Sequence, residues 1–310
     1  MFFKIFKRFF DAKPFNQGYL PEEDGHKIFF MEIGNPDGKP VISFHGGPGY
    51  RSRANSSKTF NLKKYRVILF DQRGCGRSIP YGEMKNNTAA KAASDAKRLL
   101  DYLKIKRKVI VNGGSWGSTL ALLFAETYPE KIEKLIVSKI FLANASDEKW
   151  QAETSGLFYP DMLERLKEGA KGSADMKKYY ADLINSNNLV EQVRAIELYG
   201  SYENVLGSLN PKLGFSELDA DVIGSMKIFI NYTAEEFTLK KNQIMNDIEK
   251  IKNIKTLIVH NRLDMVCPLR NAYELHKALP KSRLVIAPYM GHYGKGLSMV
   301  IKEEIKNFLD

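Results

Sequence analysis

Short apolar runs recur along the chain, most of them ending in turn-forming or glycine-rich residues, and stretches of helical spacing lie between them. The first is hairpin-like: "HKIFFMEIG" is followed by the turn "NPDGKP". Next come "VISFH", which stops at a glycine cluster, and "YRVILFD", which stops at "QRGCGRS"; both read as buried strands. From Thr88 to Leu103 the apolar positions Ala92, Ala96, Leu99, Leu100 and Leu103 carry helical spacing. "KVIVNGG" is a further strand, "STLALLFAETYPEKI" a helix and "KLIVSKI" a strand. This alternation predicts a mostly parallel sheet flanked by helices. From about Phe141 to Asn242 the strand signal disappears, leaving helix-like, aromatic-rich sequence. Strands resume at "KTLIVHNRLD" and "RLVIAPYMGH", with helices at "NAYELHKAL" and "VIKEEIKNFL". The expected organisation is a core of residues 1–140, an inserted helical cap of 141–242, and a core completed by 243–310.

Composition narrows the class of protein. At 310 residues, with 44% hydrophobic and 27% charged residues, the chain is an ordinary globular protein rather than a disordered one. Its formal charge of +11 is spread among acids, as in "KKNQIMNDIEKIKNIK", and not interleaved with aromatics, so no nucleic-acid partner is expected. Cys75 and Cys267 are too far apart in sequence to mark a metal site or disulfide framework. No run approaches the about 20 apolar residues needed to cross a bilayer, and no standard secretion signal is seen. A cytoplasmic setting is the expectation. The opening "MFFKIFKRFF" places Phe2, Phe3, Ile5, Phe6, Phe9 and Phe10 in a wedge of roughly 160° on a helix, with Lys4, Lys7 and Arg8 outside it. Residues 1–10 therefore read either as a helix packed on the body of the protein or a partner subunit, or as a weak membrane-surface contact.

The chemistry concentrates at Gly113-Gly114-Ser115-Trp116-Gly117, a Gly-x-Ser-x-Gly motif between an apolar strand and a helix. Such a strained turn lifts the serine hydroxyl above the sheet, beside the N-H groups and positive dipole of the next helix. The α/β-hydrolase fold follows from this elbow in this context. A serine hydroxyl needs a base, and five histidines are available. His276 lies mid-helix, His26 in an early turn and His260 inside an apolar strand, while His45 directly precedes Gly46-Gly47-Pro48-Gly49 and shapes that loop. His292, in "YMGHYG" after a strand, has the place expected of the base. Asp264, ending "TLIVHNRLD", completes the order Ser, Asp, His; Asp71 precedes the serine and fits that order badly. The expected oxyanion donors are the N-H groups of Trp116 and of a glycine in "HGGPG", taken as Gly47.

These residues resemble the proline iminopeptidases, α/β-hydrolases that remove an N-terminal residue, preferentially proline, from peptides. The matching pieces are "DGHKIFF", "GNPDGKPVISFHGGPG", "VILFDQRGCGRS", "NGGSWGSTLAL", "LIVHNRLDMVCPLRNAYELHKALP" and "APYMGH". The resemblance implies the triad Ser115, Asp264 and His292. It also implies cap glutamates that hold the substrate's free α-ammonium. Glu203, in "YGSYE", matches one of them, whereas in "MKIFINYT" Phe229 stands where the second would be. The function expected is a serine aminopeptidase acting on a short peptide or aminoacyl substrate through an acyl-enzyme, with no metal or organic cofactor. The alternatives are an esterase or amidase with an apolar cap pocket, which Phe229 favours and Glu203 opposes, and a non-catalytic binding module on the same scaffold.

Overall fold

The computed structural model describes residues 12–208 and 219–310, so the amphipathic segment 1–10 lies outside the described residues. Among the described residues, eight strands form one sheet: β1 Asn16–Tyr19, β2 Phe29–Gly34, β3 Lys39–Phe44, β4 Tyr65–Phe70, β5 Val109–Ser115, β6 Ile132–Ile140, β7 Lys255–Asn261 and β8 Ser282–Ala287. Their spatial order is β1-β2-β4-β3-β5-β6-β7-β8. β2 pairs antiparallel with β1 and β4, and every remaining pair is parallel. The turn at "NPDGKP" therefore does not close a hairpin, because β4 lies between β2 and β3. Val41 and Ile42 are both fully buried, so β3 must sit where both of its faces are covered, in the parallel interior of the sheet.

Alternation sorts the side chains. Val41, Val67, Leu69, Ile110, Leu257 and Val259 share one apolar cluster with Ile305, whereas Ile42, Phe44, Ile68, Phe70 and Val111 belong to the cluster on the other face. Helix α1, Ala89–Tyr102, is N-capped by Thr88, whose side chain accepts from the Lys91 N-H. Helix α2, Trp116–Thr127, is buried from Trp116 to Glu126, the mark of a helix enclosed on all sides.

Between β6 and β7 come α3 Ala145–Lys149, α4 Pro160–Gly169, α5 Met176–Asn185, α6 Leu189–Ala195, α7 Ser201–Gly207 and α8 Ala220–Ala234. Single π-helical turns at Trp150–Thr154 and Ile196–Gly200 interrupt this run. Helix α9, Gln243–Asp247, packs back on α2. Helices α10, Leu269–Ala278, and α11, Lys295–Leu309, complete the chain; Ala272 and Leu275 of α10 join the α2 side of the sheet, and Ile305 of α11 the opposite side. Among the described residues no helix is long and apolar enough to cross a membrane.

Candidate active site

Ser115 stands at the junction of β5 and α2, with φ 58° and ψ −133°. A non-glycine residue held in such a region costs on the order of 1–3 kcal/mol, and its neighbours over-determine it. A Cβ on Gly113 would strike the Gly117 carbonyl, and one on Gly117 would strike the Phe44 carbonyl, so only glycine permits the close packing of β5, α2 and β3.

The three residues expected to act together do meet. His292 Nε2 lies 3.0 Å from Ser115 Oγ, and His292 Nδ1 lies 2.8 Å from Asp264 Oδ2 and 3.0 Å from Oδ1. Both His292 and Asp264 are buried. The Asp264 carboxylate also accepts the N-H groups of Val266, at 3.1 Å, and Cys267, at 2.8 Å. Burial works against its charge, but the attraction and hydrogen bond of His292, followed by His260 and the Cys267 N-H, hold its pKa below the ordinary value. With Asp264 accepting at Nδ1, Nε2 of a neutral His292 is free to accept from the serine hydroxyl.

Other histidines are committed elsewhere. His260 Nδ1 accepts the Ile140 N-H at 2.9 Å and Nε2 donates to the Cys267 carbonyl, 2.9 Å away, which ties the end of β6 to the loop carrying Asp264. His45 Nε2 accepts the Gln72 N-H at 3.0 Å, leaving Nδ1 to donate to the Gly46 carbonyl at 2.8 Å. Burial lowers the pKa of both rings, in keeping with these neutral roles. Asp71 is spent on the Ser52 N-H and on Arg77. His26 is buried against the Lys85 carbonyl, and His276 faces Ser282.

The loop of Gly46 and Gly47 lies against the elbow: a Cβ on Gly46 would come 3.5 Å from that of Ser115. Gly47 has φ +124°, a conformation suited to glycine. One side chain links this loop to the elbow. Gln72 donates to the His45 carbonyl at 2.9 Å and accepts the Trp116 indole N-H at 2.9 Å. Sequence reasoning did not single out Gln72, although it stands within "DQRGCGRS" directly after a strand.

Gly47, Ser115, Trp116, Glu203, Phe229 and His292 all border one cavity of about 590 Å³. Glu203, in the first turn of α7, is half-buried, and its carboxyl makes no hydrogen bond or ion pair among the described residues. Burial pushes its carboxyl up to about 7. Its charge is felt by Tyr50, Tyr199, Tyr202 and Tyr293, whose hydroxyls burial already pushes upward. Phe229, on α8, packs edge-on to Tyr199 with ring centroids 6.0 Å apart. The cavity wall also carries Arg51, Arg53 and Lys139, which sequence reasoning missed because no local pattern marks the end of a strand or a loop as facing a cleft. As for metals, Asp264, Cys267 and His292 bring ligand atoms within 4.8 Å of one another. Asp264 and His292 are already bonded to each other, and burial holds the Cys267 thiol well above its ordinary pKa, so the set is poorly suited to bind a cation.

A serine raised on a strand-to-helix turn, with a histidine and an aspartate supplied from beyond the next two strands, defines an α/β-hydrolase, and the sequence matches the alpha/beta hydrolase fold family over residues 39–295. Within that class, the chain is 34% identical over 289 residues to a proline iminopeptidase of Arabidopsis thaliana, covering 90% of this chain and 76% of that one. It is 35% identical over 289 residues to a probable proline iminopeptidase of Leptolyngbya boryana, covering 90% and 89%. The chain belongs to the proline iminopeptidase family. Among solved structures, a proline iminopeptidase-related protein from Thermus thermophilus superposes with a TM-score of 0.61 at 20% identity, covering 95% of this chain and 96% of that one, a likeness of fold alone.

Proposed function

We propose that this protein is a serine aminopeptidase that releases an N-terminal residue, preferentially proline, from short peptides. The observation that carries the reading is the hydrogen-bonded chain Ser115, His292, Asp264 opening into a cavity that also holds the unpaired carboxyl of Glu203. Its relatives named as proline iminopeptidases support the same reading.

The residues take these roles. Ser115 Oγ attacks the scissile carbonyl carbon as its proton passes to His292 Nε2, and Asp264 stabilises the imidazolium formed. The tetrahedral oxyanion is held by the N-H groups of Gly47 and Trp116. The imidazolium then protonates the leaving amine, the acyl-enzyme forms, and water activated by His292 releases the N-terminal residue. Glu203 receives the substrate's free ammonium, which fixes the cut at one residue from the N-terminus. Residues 141–242 act as a cap over a core formed by 1–140 and 243–310, so that the nucleophile comes from the core and the ammonium site from the cap. Two buried free thiols favour a cytoplasmic setting.

The test is kinetic. Ser115→Ala is expected to lower the turnover of a prolyl arylamide by at least about a thousandfold while leaving the unfolding temperature near that of the wild type. A purified variant that kept more than about a hundredth of the activity would remove Ser115 as the nucleophile.

A further inference from the structure

The pairing of β5 with β6 skips one residue at each end of β6, Glu133 at the start and Lys139 beside the elbow. Gly114 pairs with Ser138 and Ser115 with Ile140, so Lys139 is bulged out directly beside the nucleophile. Its φ of +50° is a conformation that glycine adopts freely and lysine does not. Bulges next to a site serve to re-aim a side chain, and this one directs Lys139 into the wall of the Ser115 cavity. Its Cε lies 3.5 Å from where a Cβ on Gly114 would project. Among the described residues the ammonium makes no hydrogen bond and no ion pair.

We infer that Lys139 is the recognition group for a carboxylate on the leaving part of the substrate, so that this enzyme favours peptides bearing an anion just beyond the scissile bond. The inference rests on the aminopeptidase reading and deepens it. A short peptide with a free C-terminus carries an ammonium at one end and a carboxylate at the other. The cavity offers Glu203 to the first and Lys139 to the second. Burial pulls the lysine's pKa down, against the opposing pull of Asp264 and Cys267. An anion arriving beside it would offset that desolvation, because an unpaired buried charge is costly and a paired one much less so. The same carboxylate chemistry is presented either by the C-terminus of a dipeptide or by an acidic side chain in the second position of a longer peptide.

The experiment measures kcat/KM on two matched pairs, prolylglycine against its C-terminal amide, and prolylaspartyl amide against prolylasparaginyl amide. Prolyl arylamide serves as a reference. In the wild type at least one anionic member is expected to exceed its neutral partner by about tenfold or more, mainly through KM. A preference in the first pair identifies the C-terminus as the anion, and one in the second identifies the side chain. Lys139→Gly suits the left-handed backbone and removes the charge, and is expected to bring the ratio to within about twofold of unity. Lys139→Met must do the same, and Lys139→Arg must retain the preference. Wild-type ratios near one in both pairs, or a preference that survives Lys139→Gly, would overturn the inference even though the arylamide is cleaved. A wild type that cleaves no prolyl substrate at all, the arylamide included, overturns the aminopeptidase reading itself, and this inference with it.

Discussion

Two carboxyls a few residues from the reaction illustrate how environment assigns a role. Asp264 is kept ionised by His292 and two backbone N-H groups, while Glu203 is pushed up to about 7 with no cation beside it. In the proposed ammonium site a free-amino substrate requires the charged form of Glu203, so its advantage over a neutral aryl ester should grow as pH rises through about 7. Both substrates share Ser115 and His292, so their ratio isolates the contribution of Glu203. Glu203→Gln is expected to flatten that ratio and to cut kcat/KM for free amines by roughly 30-fold, about 2 kcal/mol, with much less effect on esters. Equal losses on both substrates would indicate an esterase or amidase instead. Phe229 borders the same cavity, and Phe229→Glu should supply further acceptors and raise the preference for free amines. Ser115, His292 and Asp264 were legible in the sequence because a strained turn demands glycines and because the order of the triad is fixed by topology. Lys139 and Gln72 were not, since their roles arise from a bulge and from a contact between two loops.

Helix α2 is capped at its N-terminus by Ser115, the proposed nucleophile, and carries an oddity near its other end. Glu126 is 3% exposed, and neither carboxyl oxygen has a hydrogen-bond partner among the described residues. Burial, reinforced by Asp247, pushes its pKa from 4.5 to about 9. The folded state thus binds the proton more tightly than the unfolded chain. Its contribution to stability is fully present below about 4.5 and declines as pH rises towards about 9. At pH 7 the cost is on the order of 3 kcal/mol, from about 2.5 pKa units at 1.36 kcal/mol each. Glu126→Gln should therefore raise the unfolding temperature at neutral pH and flatten the decline in stability between pH 5 and about 9. Denaturation curves for the variant that ran parallel to the wild type across that range would show Glu126 to be solvated. The strands around α2 were readable because each is an apolar run stopped by glycine or a turn. What escaped was pairing: β1, with the polar sequence "NQGY", has no apolar signature, and the placement of β4 between β2 and β3 is decided by burial at long range. The π-helical turns at Trp150–Thr154 and Ile196–Gly200 likewise leave no local mark.

Across the whole molecule, the helices between β6 and β7 do more than border the cavity, since they hold the loops that carry Asp264 and His292. The Trp150 indole N-H donates to the Met265 carbonyl, 2.7 Å away and next to Asp264. The Tyr293 N-H, next to His292, donates to the Gly207 carbonyl at 2.9 Å at the end of α7, the helix of Glu203. The indole of Trp116 packs edge-on to Tyr232 of α8 with ring centroids 5.2 Å apart. The proposed ammonium site and the Ser115–His292–Asp264 chain are therefore parts of one packed unit, and a disturbance at their seam should reach His292. Gly207 is the sensitive point, because a Cβ there would enter the ring of Tyr293, which in turn stacks edge-on with His292 at 5.0 Å. Gly207→Ala is expected to lower kcat by about tenfold on amine and ester substrates alike, since a misplacement near 1 Å is enough to slow a positioned reaction. In a Tyr293→Ala background the ring is gone while the backbone N-H remains, so adding Gly207→Ala should cost little more. The coupling between the two positions measures the seam directly. If Gly207→Ala were equally harmful in both backgrounds, its effect would come from α7 itself and not from displacement of the base.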